Sequence, residues 1–299
     1  MSKVSWLFDR ATPRFGQITV WLLLLFAVVL ALTPIEFDSG PRSQHPATVF
    51  SWLPTSLIQS PIFFTAVRVG LLASAVLWAL KIWIPWSCWS TVVFFTLTWS
   101  LRMENLTNGA HIFNVTNMLL VIHAMWFHFY RHEICGGIQR GTFWQDKSYP
   151  RWVFWLCVFY LGWFHSLAGF TKLYYCGPTW GNGTSMQLWV NLFGFKASPF
   201  AQLMLFDSRL TAVMQTGALA IECVSILAIF HRSLRYLVGF GLIGFYMGVL
   251  GTFITFGFHF NAILVALFLL PADLLLGLHF ENSSSPASSV SSPSDFAPD

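Results

Sequence analysis

Charge is scarce in this chain. Asp, Glu, Lys and Arg make up 9% of its 299 residues, where a soluble domain carries about 25%. That shortage excludes a soluble globular enzyme, and the wealth of apolar residues excludes a disordered chain. There is no Cys-x-x-Cys pair, and the five cysteines (Cys88, Cys135, Cys157, Cys176, Cys223) are scattered in or beside apolar runs. They read as small buried hydrophobes, not as a disulfide scaffold, a redox pair or a zinc site. No Lys/Arg run stands out, so nucleic acid is not expected as a partner. Long unbroken apolar runs take the place of period-two alternation, which argues against a transmembrane β-barrel. No repeat of fixed period is evident.

What the chain has in excess is apolar surface. It is 56% hydrophobic and 18% aromatic, with 15 Trp and 31 Phe, and its mean hydropathy is +0.62. So many large rings cannot hide in one soluble core of this size. The composition predicts an all-α, polytopic membrane helix bundle in contact with a lipid bilayer. Eight apolar segments are long enough to cross it: Gly16–Thr33, Ile62–Ile84, Ser87–Leu101, His111–Tyr130, Trp152–Tyr175, Leu210–Phe230, Tyr236–Phe258 and Phe260–Phe280. The third is short, and the last two form a tight hairpin. With the N-terminus inside, ten Lys and Arg fall in inner segments and four in outer ones, with Arg68 and Lys172 inside spans. The bias predicts both termini in the cytoplasm. The first span resembles a signal peptide in its basic start, but without a small-x-small site before Pro34 it reads as an uncleaved anchor.

Residues 1–280 read as one transmembrane domain. The tail 281–299, with eight Ser and three Pro, reads as a disordered cytoplasmic segment. The outer loops Pro34–Pro61 and Cys176–Ser208 carry Trp and other apolar residues and read as interfacial caps.

Polar residues placed where lipid should be are the informative ones. His111, Asn114 and Asn117 are spaced i, i+3, i+6 and share a helix face, as do His165, Gly169 and Lys172 at i, i+4, i+7. Each stripe faces either a cavity or packed neighbours that take its hydrogen bonds. A lysine taken out of water is driven toward the neutral amine, a usable base. A lysine near a span end can equally snorkel to the interface. His259, at the junction of the last two spans and two residues before Asn261, lies at the same depth as His111 and Lys172. The candidate substrate-contacting residues on these grounds are His165, His259, Asn114 and Asn117. Arg68, Glu222 and Asp273 are further intramembrane charges, structural partners or relay groups, and an Arg68–Glu222 pair is one option. His128 and His132 form one HxxxH box at the cytoplasmic end beside Arg131 and Glu133. A solvated cluster is the better reading, and no metal is expected.

The block His165-Ser-Leu-Ala-Gly-Phe-Thr-Lys172-Leu, followed by Trp180 and Gly183, resembles the HTTM (horizontally transferred transmembrane domain) family, whose fold the vitamin K-dependent γ-glutamyl carboxylases share. The Asn108-Gly-Ala-His111-Ile-Phe-Asn114 segment and the closing Phe258-His-Phe-Asn261 to Pro271 run are similar to the corresponding helices of that family. The resemblance spans roughly residues 10–280 in layout. It implies a lysine base that deprotonates reduced vitamin K, here of a menaquinol type. Oxygen then generates a strong base that removes a γ-proton from a peptide glutamate, and carbon dioxide adds. Lys172 matches that lysine, His111 the histidine that supports the site, and Trp180 and Gly183 the residues that follow it. A secreted or membrane-bound peptide is the implied substrate, and a bacterial inner or plasma membrane the implied setting.

Carboxylases carry a large non-membrane C-terminal domain, where this sequence has 19 residues after the last span. Smaller relatives serve the maturation or export of small secreted peptides. A non-catalytic factor of that kind is the alternative, and a transporter using Glu222, Arg68 and Asp273 ranks third.

Overall fold

The structure, a computed structural model, describes residues 5–33, 54–58, 60–105, 113–253 and 258–280. Among them, helices are α1 (Arg14–Leu32), α2 (Thr55–Ile58), α3 (Pro61–Ala79), α4 (Trp86–Asn105), α5 (Phe113–Phe129), α6 (Arg131–Arg140), α7 (Arg151–Cys176), α8 (Thr184–Phe193), α9 (Pro199–Phe206), α10 (Ser208–Val224), α11 (Arg232–Phe253), α12 (Phe258–Leu269) and α13 (Ala272–Leu275). The chain is an all-α, multi-pass membrane protein. Five stretches are long and apolar enough to cross a bilayer: Arg14–Leu32, Pro61–Ala79, Arg151–Asn182, Ser208–Ile229 and Arg232–Phe253.

The outside of the bundle carries many large apolar side chains. Ile62 is 83% exposed, Trp86 76% and Val213 70%. In water such a surface would aggregate. Against hydrocarbon it costs nothing, so the helices need only satisfy their own backbones.

Local signals set the helix starts. Ser60 accepts from the Phe63 amide, with Pro61 at the first helical position. Ser198 with Pro199, and Asp207 before α10, act in the same way. Such side chains satisfy amides that the first turn leaves orphaned.

The chain's N-terminal segment closes one end of the bundle. Arg10–Ala11 (β1) pairs antiparallel with Tyr149–Pro150 (β2), and Arg151 bonds the Asp9 carboxylate at 2.9 Å. Above this clasp, Phe15 meets Phe268 and Phe154 edge-on at 5.5 and 5.6 Å. Trp126 donates to the Ser148 carbonyl at 2.6 Å. The opposite end carries a cap built from α8 and α9. Phe195 donates to the Thr252 carbonyl at 2.8 Å and Ser198 to the Gly251 carbonyl at 2.5 Å. The Cys176–Ser208 segment, expected as an interfacial loop, is thus largely helical.

Two expected spans change length and one changes geometry. The third runs over Trp86–Asn105, 20 residues rather than the short stretch expected. The sixth leaves α-geometry at Ser225 and continues as a 3-10 turn over Ser225–Ile229. There the Ile226 amide is bonded by Ser166 Oγ at 2.8 Å, and the same hydroxyl donates to the Cys223 carbonyl at 3.0 Å. The eighth ends at Leu269, after 12 residues. Pro271 has no amide proton and its ring crowds the preceding turn, so the helix stops ahead of it. The tail 281–299, most of the Pro34–Pro61 segment and residues 254–257 lie outside the described residues.

Candidate functional site

Helix α7 is the spine of the site. Its buried positions include Phe154, Cys157, Val158, Leu161, Gly162, His165, Ser166 and Gly169, a stripe with the helical period. This face packs on α10 and the 3-10 turn that follows it. The approach is close because Gly169 has no side chain. A Cβ there would stand 2.8 Å from the Cys223 amide nitrogen and 3.0 Å from the Glu222 Cβ.

Beside that crossing, Lys172 meets Glu222. Nζ lies 2.6 Å from Oε1 and 2.5 Å from Oε2. The two partners are unequally placed, with side-chain exposures of 30% for Lys172 and 5% for Glu222. The amine faces outward and the carboxylate lies behind it. An ion pair donated to both oxygens is strong because little water competes with it.

About two turns along α7, roughly 10 Å by helical rise, a second polar chain begins. His165 Nδ1 lies 2.7 Å from the Leu161 carbonyl and Nε2 2.7 Å from the Tyr246 hydroxyl. A carbonyl only accepts, so Nδ1 carries the proton. Nε2 then accepts, and the Tyr246 hydroxyl donates to it. The Asn261 side chain hydrogen-bonds Tyr246 in turn. The chain Asn261–Tyr246–His165, with the Leu161 carbonyl, engages both ring nitrogens of the imidazole. It links α12, α11 and α7.

The other expected site residues fall in several places. His111 lies outside the described residues. Asn117 accepts a hydrogen bond from Thr96 of α4 at 3.1 Å, the interhelical role that packing requires. The Asn114 carbonyl accepts from Tyr160 at 3.4 Å. His259 packs its ring on Phe260 with centroids 4.2 Å apart. Gly183 is buried in a left-handed turn at φ 86°, 2.9 Å from the Ala212 amide by its missing Cβ. Trp180 is half-buried in the 3-10 segment Gly177–Asn182. That segment is tied to α10 by Thr216 donating to the Gly181 carbonyl at 3.0 Å. Thr216 precedes Glu222 by six residues, about 9 Å along the helix. Lys172 is thus brought to Glu222, His165 is held about two turns away on α7 by Tyr246, and Asn117 serves helix pairing.

The intramembrane charges do not form one relay. Glu222 takes Lys172, not Arg68. Arg68 instead donates to the Ala31 carbonyl and stacks on Phe64, and Asp273 takes Arg235 at 2.8 Å. The His128–His132 box is interrupted at Tyr130, where α5 gives way to α6. His128 Nδ1 accepts from Trp89 at 3.4 Å. Among the described residues, no three His, Cys, Asp or Glu side chains gather as metal ligands. Sequence reasoning missed Tyr246 altogether. A tyrosine in a Phe- and Gly-rich helix carries no signal until its partner is placed opposite.

A cavity of about 210 Å³ lies between α10 and α11 beneath the cap. Met186, Phe200 and Met204 close it from above, and Met214, Ile221 and Phe245 line its walls. Gly217 and Gly244 also line it, and a Cβ at either would meet nothing within 4 Å. Its deep residues Ile221 and Phe245 are the chain neighbours of Glu222 and Tyr246.

Comparison of the chain with protein-family models, with curated proteins and with solved structures finds no match.

Proposed function

We propose that this chain is a multi-pass membrane enzyme of the carboxylase-like kind that its Lys172 block resembles. In this reading it crosses the bilayer eight times with both termini inside, and its site lies toward the outer face. The observation that carries the reading is the Lys172–Glu222 pair: a part-exposed amine held by a buried carboxylate inside an apolar bundle. Ionisable groups are costly within a membrane, and their usual return there is function. Lys172 is the residue that removes a proton from the substrate hydroxyl. His165, held at both nitrogens, positions the α7 face. Trp180 and Gly183 form the rim between cap and α10, and His111 supports the site as the resemblance implies.

The α10/α11 cavity fits a flat apolar ring, since its lining of Met and Phe is polarizable and adaptable. Met204, Met214, Phe200 and Phe245 would hold a reduced vitamin K of the menaquinol type. When bound, and with oxygen and carbon dioxide as co-substrates, it supplies the strong base and the reaction that follows. The protein's part is to take up a proton at Lys172 and to keep water away.

The alternative, a non-catalytic factor for the maturation or export of a small secreted peptide, draws support from the cap. Leu188, Trp189 and Leu192 on α8 are all more than half exposed, a surface that an apolar peptide segment can cover.

The test uses purified protein in lipid with vitamin K hydroquinone, oxygen and labelled bicarbonate. Epoxide formation and label in glutamate peptides are followed in the native protein and in Lys172→Ala. The expected result is epoxide in the native protein, reduced about 10²-fold or more in the variant at unchanged protein level. No epoxide from native protein, beside an active carboxylase control, would favour the peptide factor.

A further inference from the structure

An ammonium has no lone pair. Lys172 cannot accept a proton while it remains one, so any proton it takes from a substrate must be matched by a proton it gives away. Glu222 is the group placed to receive it, with both oxygens at Nζ at 2.6 and 2.5 Å. The burial of the two side chains is ordered for this task. Lys172 is 30% exposed and Glu222 5%, so a substrate can reach the amine but not the carboxylate. Gly169 lets α7 approach until Glu222 lies directly behind the lysine.

We propose that Glu222 is the proton acceptor behind Lys172, receiving from Nζ the proton that Nζ takes from an acidic hydroxyl of an apolar substrate. The proposal rests on the reading of Lys172 as the proton-abstracting residue.

The step balances. The substrate O–H bond breaks and an N–H bond forms at Nζ. A second N–H bond of Nζ breaks and an O–H bond forms on Glu222. The pair begins neutral, as ammonium and carboxylate, and ends with one positive charge, as ammonium and carboxylic acid. The substrate leaves as its anion, beside the ammonium that formed it, where that charge stabilises it. The pair resets when the same proton returns through Lys172 to water. Other groups near the pair are His165 on α7, Cys223 on α10 and Tyr246 on α11. Both ring nitrogens of His165 are already engaged, by Leu161 and by the Tyr246 hydroxyl, whereas both Glu222 oxygens lie at Nζ, which makes Glu222 the receiver. A pair that served only to hold α7 against α10 would need no such ordering. Its loss would lower stability without changing where a substrate proton goes.

The test uses 2-naphthol, an apolar acidic hydroxyl compound that needs neither oxygen nor carbon dioxide. Native protein in lipid, Lys172→Ala, Glu222→Gln and Glu222→Asp are mixed with it anaerobically. The naphtholate absorbance reports proton removal. The infrared difference spectrum reports the carbonyl stretch of a newly protonated carboxylic acid. The expected result is naphtholate with native protein, accompanied by the carboxylic-acid band. Naphtholate falls about tenfold or more in Lys172→Ala and Glu222→Gln, and Glu222→Asp restores it with a shifted band. Naphtholate in Glu222→Gln at the native level would overturn the proposal while leaving Lys172 as the base. Naphtholate in native protein without the band would do the same, even if Glu222→Gln failed to accumulate. No naphtholate with native protein would overturn the reading of Lys172 itself, and the proposal with it.

Discussion

The side chain that shapes the site most is one that is missing. Gly169 sets how near α7 comes to α10, because any Cβ there would collide with the backbone at Cys223 and with Glu222. Backbone cannot step aside as a flexible side chain can, so a larger residue must part the helices. We expect Gly169→Leu to cost about 1–3 kcal/mol, the usual penalty for overpacking, read as a lower unfolding midpoint in detergent. It should also separate Lys172 from Glu222 and lower the proposed activity with the native lysine still present. An unchanged midpoint would mean that the two helices pack less closely than described. The spacing of His165, Gly169 and Lys172 along one face was legible in the sequence, since it follows from helical period alone. The partner of Lys172 was not. Glu222 lies 50 residues away, and nothing in the local pattern prefers it to Arg68's company over Lys172's.

At the scale of elements, the helices were legible and their endings less so. Apolar runs and Ser-Pro or Asp-Ser signals mark where helices start. Their ends depend on what another helix supplies. Ser166 of α7 ends α10 as a regular helix by taking the Ile226 amide, a contact across 60 residues. Pro271 ends α12 by its own chemistry and was visible, but its consequence was underestimated. Beyond it Asp273 turns back to Arg235 of α11, a buried pair with exposures of 13% and 3%. Removing one partner strands the other charge. We expect Asp273→Asn to destabilise the protein by about 3–5 kcal/mol, and the apolar double variant Arg235→Met with Asp273→Leu to recover most of that loss. Denaturation of the three forms in one lipid or detergent checks both. A double variant no better than the single one would show that the pair contributes more than charge cancellation, for instance through Arg235 stacked over Phe154 at 5.1 Å.

For the whole molecule, the orientation we propose rests on the distribution of charge. In the proposed eight-crossing arrangement ten Lys and Arg stand in the inner segments and four in the outer ones, the bias that accompanies cytoplasmic termini. Reporter fusions at both termini should therefore be active on the cytoplasmic side, and a tag within the α8–α9 cap should be accessible from the other. A terminus and the cap found on the same side would overturn the eight-crossing arrangement. The cap itself shows how composition and structure divide the work. Its Trp and Leu residues marked it as interfacial. That it forms two helices roofing a cavity between α10 and α11 depends on Ser198 and Phe195 finding backbone carbonyls of α11.

By itself the sequence determined that this is an all-α membrane protein, where most of its helices lie, and that Lys172 and His165 share a face. These follow from hydropathy and period, which are properties of neighbours along a chain. Only the tertiary structure decided that Lys172 answers to Glu222, that His165 is held by Tyr246, and that a cavity lies between α10 and α11. Those are contacts between helices far apart in the chain. In a bundle where nearly every surface is apolar, hydropathy cannot say which faces meet. Close-packed shape and the few polar groups that must find partners decide it.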